Sequence, residues 1–148
     1  MSANIFVDTS VLVYTRDASK LEKQAQAAEW MGYLWSLGNG RLSMQVITEY
    51  YSIVTQKLKP GMESTRARED VEDLLAWQPL PLTPELVLDA WQVQDLFHLS
   101  WWDSLIVSAA RMQKCAYILS EDFQHAQDFQ GVRVINPFRV KPVELERE

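Results

Sequence analysis

Short apolar runs alternate along this chain with stretches of helical periodicity, and the runs tend to end at a carboxylate. Asp8 follows Asn4-Ile5-Phe6-Val7, Asp103 follows Leu99-Ser100-Trp101-Trp102, and Asp122 follows Tyr117-Ile118-Leu119-Ser120-Glu121. Glu49 lies inside the apolar-aromatic segment from Gln45 to Tyr51. The alternation points to an α/β fold with a mainly parallel sheet. Such a sheet binds ligands outside the carboxyl ends of its strands, where these acids fall. Carboxylates that converge there raise one another's pKa or recruit a hard cation such as Mg²⁺ or Mn²⁺. A cation held that way can hydrolyse a phosphodiester without any His, Ser or Cys nucleophile.

The sequence predicts strands at residues 4–7, 41–44, 116–119 and 132–135. Pro79-Leu80-Pro81-Leu82 reads as an edge strand, because proline has no ladder donor. Helical patterns cover residues 9–15, 19–37, 45–58, 64–77, 84–97 and 100–114. The second is stopped by Gly38-Asn39-Gly40, and Thr83-Pro84-Glu85 is a strong start for the fifth. One domain over residues 1–139 is expected, followed by a charged, frayed tail at 140–148. The long second helix carries two apolar faces, one with Leu21, Ala25, Ala28, Met31 and Trp35, the other with Ala27, Trp30, Leu34 and Leu37. A surface helix needs one such face for its own core, so the other is either buried too or meets a partner.

At 148 residues, 47 % hydrophobic and 23 % charged, the chain suits a single globular unit rather than a disordered one. No apolar run reaches the roughly 20 residues of a membrane span. Met1-Ser2-Ala3-Asn4 lacks the basic flank of a signal peptide, and a lone cysteine, Cys115, fits a reducing cytoplasm. The net charge of −6 argues against a non-specific nucleic-acid binder. Four of those charges belong to the acids above; the balance leaves room for a selective binder or a basic protein partner. His98 and His125, with one cysteine, do not support a zinc site.

Each acid also has an ordinary structural explanation. Asp8 suits a helix cap, although Thr9 or Ser10 would serve equally. Glu49 alone reads as a solvated helical residue, and Asp103 fits the third position of a capping box begun by Ser100. Asp122 has Glu121 beside it, so either is eligible as the fourth acid. Trp101 and Trp102 adjoin Asp103; helical spacing turns at least one inward and leaves the other for a nucleobase or solvent. Arg16, Lys20, Lys57, Lys59, Arg66 and Arg68 suit an RNA path or plain solvated helix faces.

Four segments carry a sharper signal: Val7-Asp8-Thr9-Ser10-Val11-Leu12, Thr48-Glu49-Tyr50, the block from Leu99 to Ala110, and Leu119-Ser120-Glu121-Asp122-Phe123. Together they resemble the PIN-domain ribonucleases, and they look most like the VapC-type toxins of toxin–antitoxin pairs. The resemblance runs from Ile5 to about Pro137 with the motifs in family order. It implies a three-layer α/β/α sandwich and an acidic quartet of Asp8, Glu49, Asp103 and Asp122 holding Mg²⁺ or Mn²⁺. It also implies supporting hydroxyls at Ser10 and Ser120, RNA as substrate, a homodimer, and a cognate antitoxin. The alternative is a degenerate relative that binds RNA or protein without cleaving. A phospho-acceptor signalling domain fits poorly, since the mid-chain run 79–82 carries no acid.

Overall fold

The computed structural model describes residues 3–147; Met1, Ser2 and Glu148 lie outside the described residues. Four strands form one sheet: β1 (Ile5–Val7), β2 (Gly40–Arg41), β3 (Tyr117–Leu119) and β4 (Arg133–Ile135). All pairs are parallel and the order is β2-β1-β3-β4. Ile5, Phe6, Val7, Ile118, Leu119, Val134 and Ile135 are buried, as expected of strands covered on both faces. Helices α1 (Thr9–Tyr14), α2 (Leu21–Leu37), α3 (Met44–Gln56), α4 (Ser64–Leu74), α5 (Pro84–Phe97) and α6 (Trp101–Met112) supply the covering layers of the predicted α/β/α arrangement.

Strand order fixes where a ligand belongs. From β1 the chain crosses to β2 on one side, whereas β3 leads to β4 on the other, so the connections diverge between β1 and β3. That divergence is the topological switch point, and the crevice outside the carboxyl ends of β1 and β3 is the favoured binding position. The register pairs Val7 with Leu119, which leaves Asp8 and Ser120 as the next residues on adjacent strands.

Differences from the sequence reading have local causes. The second strand ends at Arg41 rather than Met44 because Ser43 already caps α3, its hydroxyl accepting from the Val46 amide at 3.4 Å. The 79–82 run makes a single parallel bridge, Ser43 with Leu80, flanked by prolines that have no hydrogen to give. Helix α2 starts at Leu21, since Ser19 is held in a turn by the Asp17 carboxylate, and it ends at Gly38 in the left-handed conformation. The Trp77 ring lies so close over Gly40 that an added Cβ would meet it at 2.4 Å, and Trp35 packs on Trp77 in turn.

The face of α2 with Ala27, Trp30 and Leu34 is buried, along with Met31. Leu37, at the end of that same face, is open, as are Leu21 and Trp35 of the other. The tail expected to fray is instead anchored. Residues Pro142–Glu146 form α7, Pro142 is buried, and Trp30 Nε1 donates to the carbonyls of Pro137 at 3.2 Å and Val140 at 3.0 Å. Trp30→Phe removes the donor and also shrinks a fully buried indole to a phenyl ring, so lost hydrogen bonds and a cavity together should cost roughly 2–4 kcal/mol in urea unfolding. The same variant should speed amide exchange over residues 138–147; unchanged protection there would detach the tail from Trp30.

Candidate active site

Each acid is delivered by a different element. Asp8 ends β1 and caps α1, with Oδ1 accepting from the Thr9 amide at 2.8 Å. Glu49 stands on α3, Asp103 in the first turn of α6, and Asp122 three residues beyond the end of β3. All four line one cavity of about 200 Å³, together with Thr9, Ser10, Gln45 and Trp102. This crevice is the one the strand order marks out.

Hydrogen bonds orient the acids. The Ser120 hydroxyl donates to Asp8 Oδ2 at 2.7 Å and accepts from the Asp122 amide at 3.0 Å, tying the two strand ends together. Glu49 is held from both sides: Thr9 Oγ1 donates to Oε2 and Gln45 Nε2 to Oε1, each at 3.0 Å. Neither Thr9 nor Gln45 was singled out for this role in the sequence, although Gln45 lies four residues before Glu49, a spacing that brings side chains together on a helix. Ser100 caps α6 by accepting from the Asp103 amide at 3.2 Å. Among the described residues the Asp103 carboxylate accepts no reciprocal bond from the Ser100 amide, so only half of the predicted capping box exists.

The charges are uncompensated. Asp8 is 6 % exposed, and burial above all, with Asp122 and Asp103 nearby, raises its pKa from 3.8 to about 6 despite the hydrogen bonds from Ser120 and Thr9. Asp122 is more open, yet partial burial and the neighbouring Glu121, Asp103 and Glu49 also push its carboxyl up. Among the described residues no Lys or Arg lines the cavity. The ion pairs among the described residues go elsewhere, Arg16 to Asp70 and Lys23 to Glu121. Arg16, one of the cations that suited either an RNA path or a solvated helix face, is committed to a bidentate grip on Asp70.

Glu121 and Asp122 part company here. Glu121 accepts from the Tyr14 hydroxyl at 2.5 Å and Lys23 Nζ at 2.8 Å, and it does not line the cavity. His98 is exposed, and His125 Nδ1 accepts from the Asn136 amide at 3.1 Å. Cys115 is buried, which raises its thiol pKa to about 12 and leaves no thiolate for chemistry at neutral pH.

Among the described residues, no three His, Cys, Asp or Glu side chains are placed to grip an ion by themselves. The donor set nonetheless fits Mg²⁺, which keeps several waters and takes one or two carboxylates rather than a full protein cage. Ser10 Oγ supports that fit: it is buried at the cavity and faces Asp122, whose ionised form its hydroxyl favours.

The PIN domain family model matches residues 5–128. No curated protein matches the sequence. The fold is similar to the crystal structure of VapC20 from Mycobacterium tuberculosis, a sarcin–ricin loop cleaving toxin. The TM-score is 0.56 at 18 % identity, covering 78 % of this chain and 87 % of that one. At that identity the likeness speaks for the fold alone. With its family model spanning most of the sheet and all four acids, this chain belongs to the PIN-domain family.

Proposed function

We propose that the protein is a metal-dependent endoribonuclease and the toxin of a toxin–antitoxin pair, acting in the cytoplasm. The observation that carries this reading is the convergence of four carboxylates, from four separate elements, on one cavity that holds no counter-charge. Membership of the PIN-domain family and the likeness to a sarcin–ricin loop cleaving toxin support it.

Asp8 and Asp103 would hold the principal Mg²⁺ or Mn²⁺, with Glu49 and Asp122 completing the site or sharing a second ion. When bound, such an ion lowers the pKa of an attacking water and offsets charge developing on the phosphate. The chain's own contribution is positioning. Ser120 fixes Asp8 against the Asp122 amide, while Thr9 and Gln45 fix Glu49. Water attacks phosphorus, the bond from phosphorus to the 3′-oxygen breaks, and that oxygen takes up a proton. The products carry a 5′-phosphate and a 3′-hydroxyl. No covalent nucleophile is needed.

A basic antitoxin suits the net charge of −6. A homodimer suits the exposed Leu88 and Trp91 of α5. The second reading, a module that binds without cleaving, is favoured by the lack of a ready-closed trio of acids among the described residues. Mapping RNA ends separates the two. Total RNA incubated with protein and Mg²⁺ or Mn²⁺ should gain discrete 5′-phosphate ends, which vanish with a chelator and in Asp103→Asn. Retention of RNA with no new ends would establish the binding module instead.

A further inference from the structure

We propose that the indole of Trp102 is the platform on which the unpaired base next to the scissile phosphate stacks, an inference that rests on the ribonuclease reading above. The first turn of α6 carries two adjacent tryptophans in opposite settings. Trp101 packs against the core, whereas Trp102 is 63 % exposed. A single exposed apolar residue is unremarkable on a protein surface. Trp102 differs because it lines the same cavity as the four acids, immediately before Asp103 in the chain.

Three features bear on its role. Among the described residues it is the one aromatic ring lining that cavity. Among the described residues no other ring stacks on it and no cation sits over it, so its faces are open to a ligand. Its backbone is tied to the site: Gln45 Nε2 donates to the Trp102 carbonyl at 3.4 Å and to Glu49 Oε1 at 3.0 Å. One amide thus links the root of the indole to a carboxylate of the quartet.

Electrostatics explains why a ring is needed there. RNA affinity normally comes from lysines and arginines that displace counterions from phosphates. Among the described residues neither lines this cavity, so apart from an ion held by the acids it offers the backbone no positive charge. Base–aromatic stacking needs no such charge and is tolerant of sequence. A base seated on Trp102 would bring the adjoining phosphate up to the carboxylates.

The test uses an oligoribonucleotide spanning a cleavage site mapped in total RNA, plus copies with an abasic nucleotide on either side of the scissile bond. Wild type, Trp102→Ala and Trp102→Phe are compared for kcat/KM and melting temperature. Trp102→Ala should lose roughly 5- to 150-fold in kcat/KM, the value of one stacked base, with an unchanged melting temperature. Trp102→Phe should recover most of that loss. One abasic copy should cost the wild type a similar factor and cost Trp102→Ala nothing further. Trp102→Ala that matches wild type overturns the inference and leaves the ribonuclease reading standing. So does a deficit that persists undiminished on both abasic copies, because the indole would then act through the protein. Total RNA left intact by the wild type removes the ribonuclease reading and this inference with it.

Discussion

Asp8→Asn should silence RNA cleavage and stabilise the fold in the same stroke. The activity loss follows from position: Asp8 sits at the switch point, bonded to Ser120 and flanked by Asp103 and Asp122. Removing a partner of a metal ligand costs about 10- to 100-fold, so removing a ligand charge should cost more than about 100-fold. The gain in stability follows from burial. Asp8 titrates at about 6 in the folded protein against 3.8 when free in solution, so folding opposes its ionisation. Wild type therefore sheds stability as pH climbs between those two values and keeps that loss at higher pH. The penalty is at most about 3 kcal/mol at neutral pH. Asparagine removes it but keeps one oxygen for two donors, Ser120 Oγ and the Thr9 amide, at a cost of about 1 kcal/mol. Urea melts in chelator at pH 7.5 should show the variant more stable by about 1–2 kcal/mol, and at pH 4 the gain should disappear. Added Mg²⁺ should raise the wild-type melting temperature and leave that of Asp8→Asn unmoved. A variant less stable than wild type at pH 7.5 would mean that Asp8 is an ordinary cap.

Much of this architecture was legible because local and global signals agree. The runs Ile5–Val7 and Tyr117–Leu119 are continuous apolar strands with a polar residue straight after, and in a parallel sheet that order alone sends Asp8 and Ser120 to one edge. Ser100 and Thr83 marked helix starts by chemistry that acts within four residues. What escaped depends on distant contacts. The two-residue β2 is decided by the Ser43 cap and by the Leu80 bridge across 37 positions of sequence. Nothing in Pro142-Val143-Glu144-Leu145-Glu146 signals order until Trp30 is known to reach the carbonyls just ahead of it. In the site, Gln45 looks like any polar helical residue unless α6 is known to pass beside it. The resemblance supplied the quartet, and spacing alone left each of its members with a plainer explanation.

The choice between Glu121 and Asp122 shows the same limit, and it yields the sharpest ranking. Local sequence treats the pair as interchangeable. The fold separates them through Lys23, whose ammonium lies 98 residues away in sequence and bonds Glu121 at 2.8 Å. That ammonium also sits 5.0 Å over the rings of both Tyr14 and Phe138, which fixes its place. Burial alone would raise the Glu121 pKa, but the bonds from Lys23 and Tyr14 outweigh it and hold the carboxyl below its usual value. Glu121 thus supports the fold above its unfolded pKa, an effect lost as pH falls. Asp122 has the opposite balance, raised by burial and by the carboxylates around it. Glu121→Gln breaks one partly exposed ion pair, so stability should fall by no more than about 1 kcal/mol and cleavage by less than about threefold. Asp122→Asn relieves repulsion in the cavity, so stability should hold while cleavage drops more than about 100-fold. Steady-state cleavage of one mapped RNA site by both variants, each checked by its melting temperature, decides the matter. A Glu121→Gln defect exceeding that of Asp122→Asn would move the fourth ligand to Glu121 and turn Lys23 into the residue that must release it.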